Sequence, residues 1–372
     1  MENIKVLFCD NTLWGLINFR GDVITYFKNI GCEVVLVAPE KEDEQMRTEI
    51  PEYVRYVPVK MGRTTTNPMD DLKYFYRLLR IFRKEKPDFV FNYTIKPNIY
   101  GSIAGKMCHC HTTAMMAGLG YTFKNNTLSA KIARMLYKIG LVFTDNLLLL
   151  NVDNLNTVKR KGLCKEDKII LLEGGEGVNL DKFTLKRNES VDTTFLFIGR
   201  VLWDKGYDEF SKAARIVKAK YPNVRFEVLG ALDPSYPKSV PVDRIKKDED
   251  EGIIKYIGFT NDINSVYERK GLVITLPSYY GEGMNRSLME ACASGKPIIT
   301  TDIAGCRELV VDGENGYVVR TKDVETLANA MFRYINLSDE DKRSFSLNSR
   351  RLAEDRFDIN KVISVYASIV GR

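Results

Sequence analysis

Short apolar runs alternate with longer amphipathic segments along the whole chain, the pattern of strands and crossover helices in a parallel sheet covered on both faces. In the first half Ile4 to Cys9, Glu33 to Ala38, Phe89 to Asn92, Thr113 to Ala117 and Asn146 to Leu150 read as strands. Phe19 to Asn29, Leu72 to Lys84 and Asn98 to Met107 carry the helical period. Gly31 follows the first, Pro87 stops the second and Pro97 opens the third. The second half repeats the theme with strands at Thr194 to Ile198, Arg225 to Leu229, Ile253 to Ile257 and Leu272 to Leu276. Between the halves, Gly174-Gly175-Glu176-Gly177 leads into a polar stretch through Arg187-Asn188-Glu189-Ser190 that reads as a linker. The expected architecture is α/β, with a Rossmann-like domain at 1–185 and a second at 186–357. A last helix at about 358–372 is expected to pack back on the first domain. Residues 233 to 250 hold three prolines and run into Asp248-Glu249-Asp250-Glu251, which reads as a long connection with a solvated acidic run.

A length of 372 residues suits two domains, and 44% hydrophobic with 28% charged residues excludes collagen-like, coiled-coil and wholly disordered chains. The seven cysteines are odd in number and sit mostly in apolar runs, so a disulfide framework is not expected and a reducing cytoplasm is. The first residues show no signal-peptide pattern, and no run of about 18 uncharged apolar residues occurs. The net charge of +6 is unevenly spread: residues 51 to 150 hold 15 Lys and Arg against 6 Asp and Glu. Such a surface attracts phosphate, whether in nucleic acid, an anionic bilayer or a diphosphate-linked substrate. No nucleic-acid motif accompanies the charge, so nucleic acid is not expected. The segment Leu72 to Lys84, with five basic residues among its apolar ones, suits a crossover helix and also an anionic membrane surface.

The stretch with most chemistry is Leu276-Pro277-Ser278-Tyr279-Tyr280-Gly281-Glu282-Gly283-Met284-Asn285-Arg286-Ser287-Leu288-Met289-Glu290-Ala291. A strand end, a Gly-bracketed loop and a helix start near Asn285 create an anion site from backbone N–H groups. Glu282 and Glu290 are acceptor-only carboxylates that suit sugar hydroxyls, provided the loop folds over the helix start. Cys108-His109-Cys110-His111 lacks a second ligand pair at zinc spacing, and neighbours on a strand point to opposite faces, so no metal is expected there. Asp248-Glu249-Asp250 has the form of an Asp-x-Asp metal motif but reads as part of the acidic run.

Glu282, seven intervening residues and Glu290, followed by Ala-Cys-Ala-Ser-Gly-Lys-Pro-Ile-Ile-Thr-Thr, resemble the donor-site signature of the family 4 retaining glycosyltransferases. Gly199-Arg200-Val201-Leu202-Trp203-Asp204-Lys205-Gly206 resembles the same family's Gly-Arg and Lys-Gly element, and Asp302 to Glu308 and Asp312 to Gly316 also match. In the first half, Asn18-Phe19-Arg20, Tyr93 to Gly101 and Ala117-Gly118-Leu119-Gly120-Tyr121 resemble the branch that extends bacterial lipid-linked glycans. The resemblance covers the whole chain. Asn285 departs from it, since proline is usual there, but asparagine is itself a good helix N-cap.

The resemblance implies a GT-B fold, two Rossmann-like domains facing across a cleft, with the donor held mainly by the second. It implies that Arg200 and Lys205 grip the donor diphosphate, that Glu290 binds the ribose hydroxyls and that Glu282 meets the transferred sugar. Backbone amides of Gly283, Met284, Asn285, Arg286, Ser287 and Leu288 are expected to face sugar and phosphates. Gly15, in the first strand-to-helix loop, is expected to let that loop approach the diphosphate. Lys96, Gly118 and Tyr121 are expected on the acceptor side. The implied reaction is retaining transfer of a sugar, an N-acetylhexosamine by the branch, from a UDP-sugar to a polyprenyl-diphosphate-linked glycan in bacterial surface-polysaccharide synthesis. It needs no metal and no cofactor beyond the UDP-sugar donor. The implied place is cytoplasmic, peripheral on the inner face of the membrane. A nucleotide-sugar epimerase of the same fold and a non-catalytic sugar-nucleotide-binding subunit remain as alternatives.

Overall fold

A computed structural model describes residues 4–39, 50–51, 54–62, 67–118, 127–186, 192–234, 236, 238–281 and 283–372. The chain forms two compact units: 1–176 with 359–372, and 177–358. The division falls at the glycine turns around residue 176, ahead of the polar stretch that the sequence offers as a linker.

The first unit runs β1 (Lys5–Cys9), α1 (Leu13–Asn29), β2 (Glu33–Ala38), β3 (Arg55–Pro58), α2 (Pro68–Glu85), β4 (Phe89–Tyr93), a π turn (Pro97–Gly101) and α3 (Ser102–Met107). It continues with β5 (His111–Met116), α4 (Leu128–Val142), β6 (Asn146–Leu149), α5 (Val152–Lys161) and β7 (Ile169–Leu171). The strands are all parallel, in the order β3-β2-β1-β4-β5-β6-β7. Alternate residues of the sheet face opposite layers. Leu7, Val35, Val37 and Val90 pack under Tyr74, Leu78 and Phe82 of α2. Ala114, Met116, Leu147 and Leu149 pack under Tyr137 and Leu141 of α4, and Tyr100 touches both clusters. On the other face Phe8 stacks on Phe91, and Phe91 meets Tyr366 of the chain's last helix, Ile359–Val370, at 4.7 Å.

Two local departures from the sequence reading have physical causes. Helix α1 starts at Leu13, six residues before the apolar period suggests, because the Thr12 hydroxyl accepts from the Gly15 N–H at 2.7 Å and caps it. The stretch read as one helix from 98 opens as a π turn. There a Cβ on Gly101 would lie 2.1 Å from the Asn92 side-chain oxygen, so only glycine lets that turn cross the buried amide.

The second unit runs β8 (Thr194–Ile198), α6 (Tyr207–Lys220), β9 (Arg225–Leu229), α7 (Val242–Asp250), β10 (Lys255–Tyr256), α8 (Ile263–Tyr267), β11 (Leu272–Leu276) and α9 (Arg286–Ala293). Then come β12 (Ile298–Thr301), β13 (Gly316–Val319), α10 (Val324–Ile335) and α11 (Asp339–Leu352), with Ile359–Val370, which joins the first unit, as α12. Its parallel sheet has the order β10-β9-β8-β11-β12-β13. Strands β8 and β11 are buried throughout, as a central strand covered on both faces must be.

The acidic run is not a solvated loop. Residues up to Asp250 form α7, and Asp248 is fully buried. It accepts from Tyr207 at 3.0 Å, Ser211 at 2.8 Å, Arg215 at 2.6 Å and Arg244 at 3.0 Å. Burial alone would raise its carboxyl, but these hydrogen bonds outweigh it and hold the group below its ordinary value. Composition reads the run as solvated because its partners on α6 lie far away in sequence.

Candidate active site

In an open parallel sheet, ligands bind outside the carboxyl ends of the strands where the strand order reverses. In the second unit that point lies between β8 and β11, since the chain proceeds outward to β9 on one side and to β12 on the other. The two loops that leave these strands hold most of the residues singled out in the second half.

The loop after β8 runs from Gly199, at φ +136°, to Gly206, at φ +85°. A Cβ on Gly206 would lie 2.1 Å from the Pro277 carbonyl, so the glycine lets this loop touch the one after β11. The contact is sealed by the Tyr279 N–H, which donates to the Asp204 carbonyl at 2.9 Å, and by the Ser278 hydroxyl on the same oxygen at 3.3 Å. Arg200 is exposed, with its guanidinium 4.8 Å from the ring centre of Tyr236. Lys205 is only 8% exposed, with its ammonium 5.3 Å from the ring centre of Tyr280. A ring face attracts a cation without cancelling its charge. Both cations therefore sit on the loop after β8, at the switch point.

Helix α9 begins where the second loop ends. Asn285, whose side chain accepts from the Leu288 N–H at 3.1 Å, is the N-cap, and its own N–H is held by the Gly305 carbonyl at 2.7 Å. At a helix start the first-turn N–H groups, here those of Arg286 and Ser287, point outward along the axis and concentrate positive potential there. Met284 is buried, Gly283 is half-buried, and Leu288 anchors the helix from below in the core. Tyr267 donates to the Ser287 carbonyl at 2.9 Å. Glu290 lies one turn in and accepts from Arg286 Nε at 3.0 Å, with its side chain 12% exposed. Burial raises its carboxyl and the Arg286 charge draws it back. Glu282 lies outside the described residues.

The first unit has its own switch point, between β1 and β4. Asp10 follows β1 and Thr94 follows β4. Thr94 sits at φ +66°, an uncommon conformation for a β-branched residue, and its hydroxyl reaches Asp10 Oδ1 at 3.3 Å. The Asn11 N–H donates to the same oxygen at 2.6 Å. Burial pushes the Asp10 carboxyl up to about 6, against the pull of Arg20. Arg20 lies over the Tyr93 ring at 4.3 Å and forms a buried ion pair with Glu176. Gly15 lies in the first turn of α1 rather than in the loop. A Cβ there would meet Thr12 Oγ1 at 2.7 Å and Asp10 Oδ2 at 3.0 Å, so glycine leaves room for the cap and this carboxylate.

Of the other first-half residues, Lys96 bonds to Asp71 at 2.7 Å and to the Gly62 carbonyl at 2.7 Å, tying the end of β4 to α2. Gly118 is half-buried just past β5, and Tyr121 lies outside the described residues. His109 turns at φ +59°, and His111, bonded to Asn146 at 2.9 Å, begins β5. Both histidines thus sit at the amino end of that strand, away from the switch point. No group of three potential metal ligands occurs among the described residues. Sequence reasoning missed Asp10, Glu176 and the aromatic faces of Tyr236 and Tyr280. A charged residue directly after the first strand was the one available signal.

The comparisons with known proteins divide along the same line. Residues 181–352 match the family described as glycosyl transferases group 1, and residues 5–151 match that described as glycosyl transferase 4-like. An N,N'-diacetylbacillosaminyl-diphospho-undecaprenol alpha-1,3-N-acetylgalactosaminyltransferase of Campylobacter jejuni is 26% identical, covering 99% of both chains. A UDP-Gal:alpha-D-GlcNAc-diphosphoundecaprenol alpha-1,3-galactosyltransferase of Escherichia coli is 25% identical over 81% of this chain and 80% of its own. Among solved structures, an Anabaena protein in complex with UDP-glucose superposes with a TM-score of 0.80 at 16% identity, covering 99% of each chain.

Proposed function

Because the chain belongs to the group 1 glycosyltransferases, with a family-4-like first half, we propose that it is a retaining enzyme of lipid-linked glycan assembly. In this reading it moves an N-acetylhexosamine from a UDP-sugar to a glycan on a polyprenyl diphosphate. The relative whose length it matches end to end is named for such a transfer. The observation that carries the donor-side reading is the switch point of the second unit. Two cations and a capped helix start meet there on loops that a Gly206 contact holds together.

Loss of UDP from the sugar places negative charge on the departing phosphate oxygen. Preorganised cations and a helix N-terminus stabilise that charge. Arg200 and Lys205 supply the cations, and the first-turn N–H groups of Arg286 and Ser287 face the sugar and phosphates, those of Asn285 and Leu288 being bonded to the Gly305 carbonyl and the Asn285 side chain. Glu290 accepts from the ribose hydroxyls, exchanging part of its Arg286 contact, and Glu282 orients the transferred sugar. The new C1–O bond forms on the face from which the phosphate leaves. The departing phosphate oxygen takes the proton of the acceptor hydroxyl, so the protein contributes position and charge rather than a nucleophile. No metal is required when the side chains neutralise the diphosphate. The acceptor is assigned to the basic first unit, where Lys96, Gly118 and Tyr121 remain the candidates. The place of action is the cytoplasmic face of the membrane.

Calorimetric titration with a panel of UDP- and GDP-sugars tests the donor reading. One UDP-N-acetylhexosamine should bind best, and Glu290→Ala should weaken it about tenfold or more, as loss of a charged hydrogen-bond acceptor does. Equal binding of all sugars, or no loss in Glu290→Ala, would contradict it.

A further inference from the structure

Helix α4 (Leu128–Val142) turns its apolar residues both ways. Tyr137 and Leu141 enter the core, and Gly140 lies so close to the π turn that a Cβ would sit 2.6 Å from the Ile99 Cα. On the opposite side Ile132, Met135, Ile139, Val142 and Phe143 are all exposed, Met135 at 57% and Val142 at 63%. They recur at i, i+3, i+7, i+10 and i+11, so they form one continuous stripe rather than scattered surface residues. Lys131, Arg134 and Lys138 follow the same period as a row along one edge, and no acidic residue occurs from 128 to 144. Helix α2 packs on the same face of the sheet and exposes Met69, Leu72 and Tyr76, with Arg80 and Arg83 further along.

We propose that the outer face of α4, extended by that of α2, is the surface on which the protein rests on an anionic bilayer. An apolar stripe with a basic edge is the composition of a helix lying in the membrane interface. No helix among the described residues is long and apolar enough to cross a membrane, so attachment through α4 is by its face. A second copy of the chain fits the stripe less well. Pairing two such helices sets the Lys131 and Lys138 row against apolar residues or against its own copy, with no carboxylate on the helix to answer it. The inference rests on the reading of a lipid-linked acceptor, and gives that reading a surface that the basic segment 72–84 alone did not.

Co-sedimentation of the full chain with phosphatidylcholine vesicles, with and without 30% phosphatidylglycerol and containing no glycolipid, tests it. The wild type should partition onto the anionic vesicles and about tenfold or more weakly onto the neutral ones. The double variant Met135→Asp/Ile139→Asp should lose at least tenfold on the anionic vesicles. Lys131→Glu/Lys138→Glu should lose several-fold, and only there. Both should keep wild-type circular dichroism and wild-type UDP-sugar binding. Transfer to a short-chain, water-soluble prenyl-diphosphate acceptor separates the two claims, since it reports on the acceptor alone and should survive in Met135→Asp/Ile139→Asp. Wild-type partitioning in that variant, absence of wild-type binding to anionic vesicles, or loss of a dimer by sedimentation without loss of vesicle binding would each overturn the docking surface.

Discussion

Arg200 and Lys205 share the loop after β8 but have different surroundings, one exposed against Tyr236 and the other nearly buried against Tyr280. If both stabilise the leaving diphosphate, Arg200→Ala and Lys205→Ala should each lower kcat by roughly 10²–10³ while changing affinity for uridine alone little, measured by steady-state kinetics and calorimetry. A buried lysine elsewhere in the second unit gives a cleaner electrostatic prediction. Lys296 is fully buried, donates to the Arg269 carbonyl at 2.8 Å, and has its ammonium driven down to about 7 by burial, with Lys186 and Arg269 adding to it. Below pH 7 folded and unfolded chains both carry the proton, so the cost of burying the charge is present in full. Between 7 and the ordinary 10.5 the unfolded chain binds more protons, and stability rises with pH. The advantage of Lys296→Met over wild type in chemical denaturation should therefore be greatest below pH 7 and shrink toward pH 10. An advantage that does not vary with pH would contradict the assignment.

At the scale of elements, single carboxylates hold pieces of the fold in place. Asp248 joins α7 to α6 through Tyr207, Ser211 and Arg215, with Arg244 of its own helix as a fourth donor, so Asp248→Ala should cost about 3–5 kcal/mol by denaturant melts, as breaking a buried ionic network does. Its contribution holds above the ordinary carboxylate value and falls away as pH drops through the lowered folded one. The long strands were legible because buried parallel strands are apolar runs, and Thr194 to Ile198 and Leu272 to Leu276 stand where the sequence puts them. Strand Gly316–Val319 was not, because its entry beside β12 depends on a close approach. A Cβ on Gly316 would meet the Ile298 carbonyl at 1.8 Å, which no local pattern shows. The end of β11 and the start of α9 were legible because their signals, an apolar run and an asparagine cap, are local. The Arg20 pair with Glu176 spans 156 residues, and only the fold brings it together.

At the scale of the whole molecule, two parallel sheets each reverse strand order once, and each reversal carries charged groups at its strand ends. The second holds Arg200, Lys205 and the start of α9, while the first holds Asp10 with Thr94 and Arg20. That distribution fits the proposed division into donor and acceptor sides, and the exposed face of α4 suits the membrane that a polyprenyl acceptor inhabits. The central claim is the transfer itself. The measurement is UDP release and product stereochemistry, by chromatography and NMR, with a UDP-N-acetylhexosamine in the presence and absence of a polyprenyl-diphosphate-linked glycan. The account predicts release that depends on the acceptor and a product with the donor's anomeric configuration. Release indifferent to the acceptor, a product of inverted configuration, or an epimerised donor would contradict it.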